Sequence, residues 1–255
     1  MQKIRVGFIG TGRKWVQGKT LGFGMAYSHA AGYKLCPDVE LAACADILRE
    51  NGEAFAKETG TRTVYTDYKE MLKAESLDAV SICTWPRFHA PMVEDAASAG
   101  VKLIHCEKPM ANSWGAAKKM AAAAKKAGAK LSFGHQRRCG EKFRKLLEVR
   151  DSGELGEVRR MECFPPNFFD WGTHWLDLFQ MVNREVPAEW VLAALHYGKG
   201  HKIFEVPHED QGIMQIQYQN GVEGSLITSG SFRGAALRFI GTKGVVEVYW
   251  KDPAV

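Results

Sequence analysis

The chain has 255 residues, 45% hydrophobic and 25% charged, with 26 Gly and 9 Pro, long and apolar enough for two globular domains. A formal charge of +5, with Lys and Arg scattered among acids, gives no basic stripe for nucleic acid, and the absence of an apolar run of about 18 residues or a signal-peptide pattern argues against a membrane span or export. Six cysteines (36, 44, 83, 106, 139, 163) form no Cys-x-x-Cys pair, which argues against structural zinc and a disulfide framework and for a reducing, cytoplasmic compartment.

Residues 4–9 read as a buried first strand running into Gly10-Thr11-Gly12. Two glycines at this spacing allow a tight turn and close approach of backbone to a pyrophosphate resting on the next helix N-terminus. A bare glycine turn is the alternative. The third position of the glycine pattern is Trp15, and helical periodicity resumes only near 21–31, so residues 13–18 read as an insertion. A second strand, 39–45, ends at Asp46, where such folds hold the ribose hydroxyls of a dinucleotide. The other reading of Asp46 is a cap for the helix over 48–59. It lies 34 residues after Gly12, longer than the usual spacing of about 20, which again points to an insertion.

Residues 63–65, 77–83 and 101–106 are the next strands, separated by a helix over 68–73, capped by Asp67, and another over 91–99. The fifth strand stops at Glu107-Lys108-Pro109, since proline cannot continue a central strand. An unpaired buried Lys is costly. Lys108 is therefore expected either to face a ligand at the carboxyl end of the sheet or to belong to a solvated turn. An Ala/Lys-rich helix from Asn112-Ser113 to about 127, a sixth strand over 130–134 and a helix over 141–150 follow. Strands alternating with helices predict right-handed βαβ units and a parallel sheet.

From Gly153 the texture changes. Strand-like runs at 158–164, 190–196, 212–218, 222–228, 236–240 and 245–250, with turns at Asn220-Gly221 and Thr242-Lys243-Gly244, predict an antiparallel sheet interrupted by one helix near 172–182. The expected fold class is α/β. A doubly wound Rossmann domain over 1–135 is followed by an α+β domain with an open, mostly antiparallel sheet over 136–255. Asp170 and His174, four apart, share a face if their segment is helical; an acid can then orient an imidazole whose ordinary pKa suits general-base work. The bland reading is that both cap and pack that helix. Asp177 reads as a structural partner. Phe164, Phe168, Phe169, Trp171 and Trp175 either wall a sugar site or pack the core. His208-Glu209-Asp210 lacks a ligand spacing and reads as a polar loop, so no metal is expected.

These motifs stand in one order: Gly10-Thr11-Gly12, 39–46, Val80-Ser81-Ile82-Cys83-Thr84, Pro86 with His89, Cys106-Glu107-Lys108-Pro109, Gly134-His135-Gln136-Arg137-Arg138, 151–156 and Asp170-Trp171-Gly172-Thr173-His174. With them the sequence resembles the Gfo/Idh/MocA family of dinucleotide-dependent oxidoreductases. The resemblance implies that Lys108 meets both nicotinamide ribose and substrate, and that Asp170 and His174 complete the proton-transfer group. It implies cofactor contacts at Gly10, Thr11, Gly12, Asp46, Thr84, Pro86, His89, Glu107 and Lys108, and substrate contacts at Lys108, His135, Arg137, Trp171 and His174. The implied reaction is hydride transfer between NAD, with NADP possible, and a sugar, polyol or cyclitol hydroxyl. An NAD-dependent glycosidase of the same family and a non-catalytic dinucleotide-binding regulator are the alternatives. The acid at Asp46 favours NAD, with Arg49 near enough to blunt the preference. Family members commonly pair through the second sheet, so a homo-oligomer is expected. The chain departs from the family at Trp15 and by stopping at Val255, soon after the last strand, so a shortened second domain is expected.

Overall fold

Each strand of the first sheet is a short, largely apolar run, as a sheet covered on both faces requires. The computed structural model describes residues 3–14, 24–198, 200–228 and 236–249, in two units, Met1–Gly134 and His135–Val255. In the first unit, β1 (Ile4–Ile9), β2 (Val39–Ala45), β3 (Thr63–Tyr65), β4 (Ala79–Ile82), β5 (Leu103–Cys106) and β6 (Lys130–Phe133) lie in the order β3-β2-β1-β4-β5-β6. Every pairing is parallel. This is the Rossmann order, with its switch point between β1 and β4.

Alternation along β1 sends Val6 and Phe8 to one face, against Ala26 and Ala30 of α1 (Ala26–Tyr33) and Phe55 of α2 (Arg49–Thr59). The Phe8 and Phe55 rings pack 5.0 Å apart. Ile9, Val80, Ile82 and Ile104 cover the other face, with Met71 of α3 (Tyr68–Ala74), Val93 of α4 (Pro86–Ser98) and Met120 of α5 (Trp114–Lys126). The Asp67 side chain caps α3 and Ser113 caps α5. α4 begins at Pro86, not at Pro91. Proline's fixed φ suits the first helical position, and Pro91 falls where its missing N–H leaves only one early carbonyl without a donor.

The second unit holds α6 (Glu141–Ser152), β7 (Val158–Cys163), a π-helical turn at Phe168–Gly172, α7 (Thr173–Val182) and β8 (Ala188–His196). β9 (Lys202–Ile203), β10 (Val206–Pro207), β11 (Gln211–Tyr218), β12 (Glu223–Thr228), β13 (Leu237–Gly241) and β14 (Val245–Val248) follow. Six of these strands form a sheet ordered β14-β13-β7-β12-β11-β8, antiparallel except for β7 beside β12. Ile216, Tyr218, Leu226 and Phe239 share a core with Leu178 and Phe179 of α7. The β9–β10 hairpin escaped the sequence because Phe204 and Glu205, at φ 51° and 64°, occupy turn positions usually signalled by Asn or Gly. Trp15 and Trp250, two positions singled out in the sequence, lie outside the described residues.

Candidate functional site

Parallel strands all end at one edge, and that edge gathers the first group of candidate residues. The Gly10 amide donates to the Ala45 carbonyl, Cys83 to Ile9 and Glu107 to Ile82, each at 2.8 Å, so Gly10-Thr11-Gly12, Asp46, Thr84 and Glu107-Lys108 follow the ends of adjacent strands. Gly10 and Gly12 have φ of 81° and 58°. A Cβ on Gly10 would lie 2.5 Å from Thr84 Cγ2 and 3.2 Å from the Cys83 carbonyl, so Thr84 backs the turn and only glycine fits it.

Gly24 supplies the close packing that the third glycine of the pattern gives. Its amide donates to the Arg13 carbonyl at 2.9 Å, and a Cβ there would overlap the Thr11 carbonyl and lie 3.1 Å from Gly12 Cα. The insertion expected over residues 13–18 lies largely outside the described residues; the place of Gly24 just before the helical pattern of α1 was the available signal. A turn of this shape at a helix start fits the pyrophosphate of a dinucleotide.

Asp46 does more than was expected of it. Oδ2 accepts from Thr11 Oγ1 at 3.0 Å and the Gly12 amide at 2.8 Å, while Oδ1 accepts from the Leu48 amide at 3.0 Å and Asn51 Nδ2 at 3.3 Å. The carboxylate thus clamps the glycine turn to the tip of β2.

His89 is fully buried. One ring nitrogen lies 2.9 Å from the Pro109 carbonyl and the other 2.9 Å from the Thr84 carbonyl. Two acceptors favour a doubly protonated ring, yet burial pushes its pKa down, against the pull of the Thr84, Pro109 and Met110 carbonyls. The ring ties the end of β4 to the residue after Lys108. Pro86, the first residue of α4, is buried beside it in sequence, and Lys108 is half-buried. His89 and Pro86 are thus buried at the edge where the strand-end motifs meet.

The second unit gathers the second group. His135 and His174 meet edge to face, ring centres 5.5 Å apart. The Arg137 guanidinium lies between two indoles, 5.1 Å from the Trp171 ring and 4.6 Å from Trp175. Burial pushes the Arg137 pKa down to about 10, opposed by the charge of Asp170. Asp170 and Trp171 sit in the π turn, whose amides are held by Asn167: its Oδ1 accepts from Asp170 at 2.8 Å and Trp171 at 3.1 Å. Such turns recur at functional sites. Glu209 lies in the expected polar loop, yet it is 3% exposed and accepts from the Phe168 amide at 2.6 Å, so it is a buried clamp on the same turn. Asn167 and Glu209 were missed because each acts on a backbone amide, a contact that no side-chain pattern announces, and Glu209 does so across 41 residues. Asp177 accepts from Arg138 Nε at 2.7 Å, a structural pairing.

Among the described residues, no group of three or more His, Cys, Asp or Glu side chains is arranged to hold a metal, and no helix is long and apolar enough to cross a membrane.

The family described as "Oxidoreductase family, NAD-binding Rossmann fold" matches residues 4–135, and the "GFO/IDH/MocA C-terminal domain" matches 143–247. Myo-inositol 2-dehydrogenase of Thermotoga maritima is 29% identical over 241 residues, 89% of this chain and 68% of that protein. D-glucoside 3-dehydrogenase of Escherichia coli is 33% identical over 155 residues, 61% of this chain and 41% of that protein. The chain spans from 41% to 68% of the length of these and a further curated relative. Scyllo-inositol dehydrogenase of Lactobacillus casei, solved with bound NAD(H) and scyllo-inositol, shares the fold at a TM-score of 0.78 and 18% identity, covering 100% of this chain and 79% of that one. The chain belongs to the Gfo/Idh/MocA oxidoreductase family, with an N-terminal domain of the NAD-binding Rossmann type.

Proposed function

We propose that the chain binds NAD at the carboxyl edge of its first sheet and catalyses hydride transfer between it and a hydroxyl of a sugar, polyol or cyclitol. The observation that carries this reading is the convergence of the Gly10/Gly12 turn, Asp46 and Lys108 on that one edge. Residues 1–135 serve the cofactor, with Gly10, Thr11, Gly12 and Thr84 shaping the phosphate turn. Asp46 both clamps that turn and faces the ribose. Residues 136–255 serve the substrate together with His135, whose ring meets that of His174, and with Arg137 set over Trp171. The bound dinucleotide supplies the hydride acceptor. Lys108 holds the reacting oxygen and stabilises its developing charge. His174 takes the hydroxyl proton, and Asp170 orients the imidazole. The names of the inositol and glucoside dehydrogenases support the substrate class. All six cysteines are free thiols, which supports a reducing, cytoplasmic setting.

Titration with the two dinucleotides tests the cofactor half. A carboxylate at the tip of β2 repels a ribose 2′-phosphate, so NAD is expected to bind more tightly than NADP. Arg49, paired only loosely with Glu53 at 3.8 Å and well exposed, blunts this preference. Tighter NADP binding would overturn the role of Asp46. Turnover of myo-inositol and simple glucosides tests the substrate half.

The assembly follows from the second sheet. Trp190 and Leu192 of β8 lie opposite Gln217 and Gln215, on the same face as Ile213 and Ile227. These four are 50%, 68%, 54% and 40% exposed. An apolar patch of this kind on an open sheet face finds a partner. A homo-oligomer is the expected result of light scattering at micromolar concentration, and Leu192→Glu is expected to shift the mass toward the monomer. A monomeric mass for the wild type counts against this assembly.

A further inference from the structure

Beside the Lys108 backbone the first unit buries a run of polar side chains that no strand or helix needs. Tyr33 Oη lies 3.2 Å from Ser81 Oγ, Ser81 Oγ lies 3.1 Å from His29 Nδ1, and His29 Nε2 lies 2.9 Å from Glu107 Oε1. The other Glu107 oxygen accepts from the Lys108 amide at 3.1 Å. One assignment of protons satisfies the whole run with a neutral ring: Tyr33 donates to Ser81, Ser81 to Nδ1, and Nε2–H to the carboxylate. Ser81 is fully buried and Glu107 is 6% exposed. Burial works to raise the Glu107 pKa, yet the hydrogen bonds from His29 and the Lys108 amide, with the Lys108 charge, hold it below the ordinary carboxylate range. The far side of the carboxylate is closed by Gly134, where a Cβ would lie 2.6 Å from Glu107 Oε1. His29 also faces Cys83 at 3.5 Å and the His105 ring at 4.8 Å between centres. A buried carboxylate is costly unless its partners are fixed, and here they are fixed from α1, β4 and the end of β6 at once.

We propose that His29 is a positioning residue for Lys108: it holds the Glu107 carboxylate, which in turn fixes the Lys108 amide. The inference deepens the hydride-transfer reading and rests on it for turnover, but the geometry has a readout of its own. Hydrogen exchange of the Lys108 amide, followed by NMR, reports how firmly the carboxylate holds it. His29→Ala is expected to speed that exchange about tenfold, because the freed carboxylate no longer keeps the amide bonded, while His29→Gln, which keeps a donor, stays within about threefold of wild type. In turnover, His29→Ala is expected to lower kcat about tenfold with NAD affinity within about threefold, again restored in part by His29→Gln. Should His29→Ala fail to fold, His29→Asn, too short to reach the carboxylate, takes its place with the same expected result. Equal exchange in wild type and the shortened variant overturns the inference. A wild-type protein that turns over no sugar or polyol sinks the hydride-transfer reading, while the exchange rates still decide the role of His29.

Discussion

Lys108→Ala is expected to lower polyol turnover by about 100-fold or more, the scale seen when one preorganised electrostatic donor is removed, while NAD affinity changes little. The division follows from where the side chain stands. Its backbone is held by Glu107 on one side, through the amide at 3.1 Å, and by His89 on the other, through the Pro109 carbonyl at 2.9 Å. The phosphate turn is built by other residues, Gly10, Gly12 and Asp46. Losing the ammonium therefore removes a charge from the reacting oxygen without loosening the turn. Steady-state rates with several polyols, and NAD binding measured separately, check the split. A variant that loses NAD affinity in proportion to turnover would instead place Lys108 in the cofactor site alone.

His174→Ala is expected to cost a similar factor, about 100-fold, through loss of the proton acceptor, with partial recovery at high pH where hydroxide substitutes. Under the proposed roles, in which both groups serve one proton transfer, the double variant with Lys108→Ala is expected to lose much less than the product of the two factors. Asp170→Asn is expected to be milder. Under the proposed orienting role, loss of the carboxylate favours the neutral imidazole, so the acid limb of the pH profile is expected to move to lower pH. Asp170 also balances Arg137, whose guanidinium lies over both the Trp171 and Trp175 rings, so the substitution leaves a half-buried cation less compensated. A pH–rate profile for each variant separates these effects; near-wild-type turnover in all of them would return the chain to the role of a dinucleotide-binding regulator.

Much of the fold was legible because its strands and helices carry strong local signals. The strand of residues 4–9 is apolar on both sides and must be covered twice, and Asn220-Gly221 closes a hairpin with Gly221 at φ 83°. Alternation of strand and helix through the first half settled a parallel sheet, and therefore an edge where the strand-end motifs meet. The sequence by itself thus determined the two sheet types, the glycine turn with Asp46 across from it, and the Glu-Lys-Pro step at a strand tip.

Only the tertiary structure decided what those residues touch. That Gly24 packs on the Thr11 carbonyl is a contact across 13 residues, which no spacing rule contains. That Asp46 spends both oxygens on protein donors, and that His89 bonds two carbonyls 5 and 20 residues away, are properties of loops folded back on strand ends. His29, Ser81 and Glu107 lie on three different elements, and Glu209 reaches Phe168 across 41 residues. Their sequence neighbours carry no common pattern. Periodicity reports which face of an element is buried, because apolar burial acts along the whole element; a buried polar partner is chosen by one contact at long sequence separation, and that contact exists only once the chain has folded.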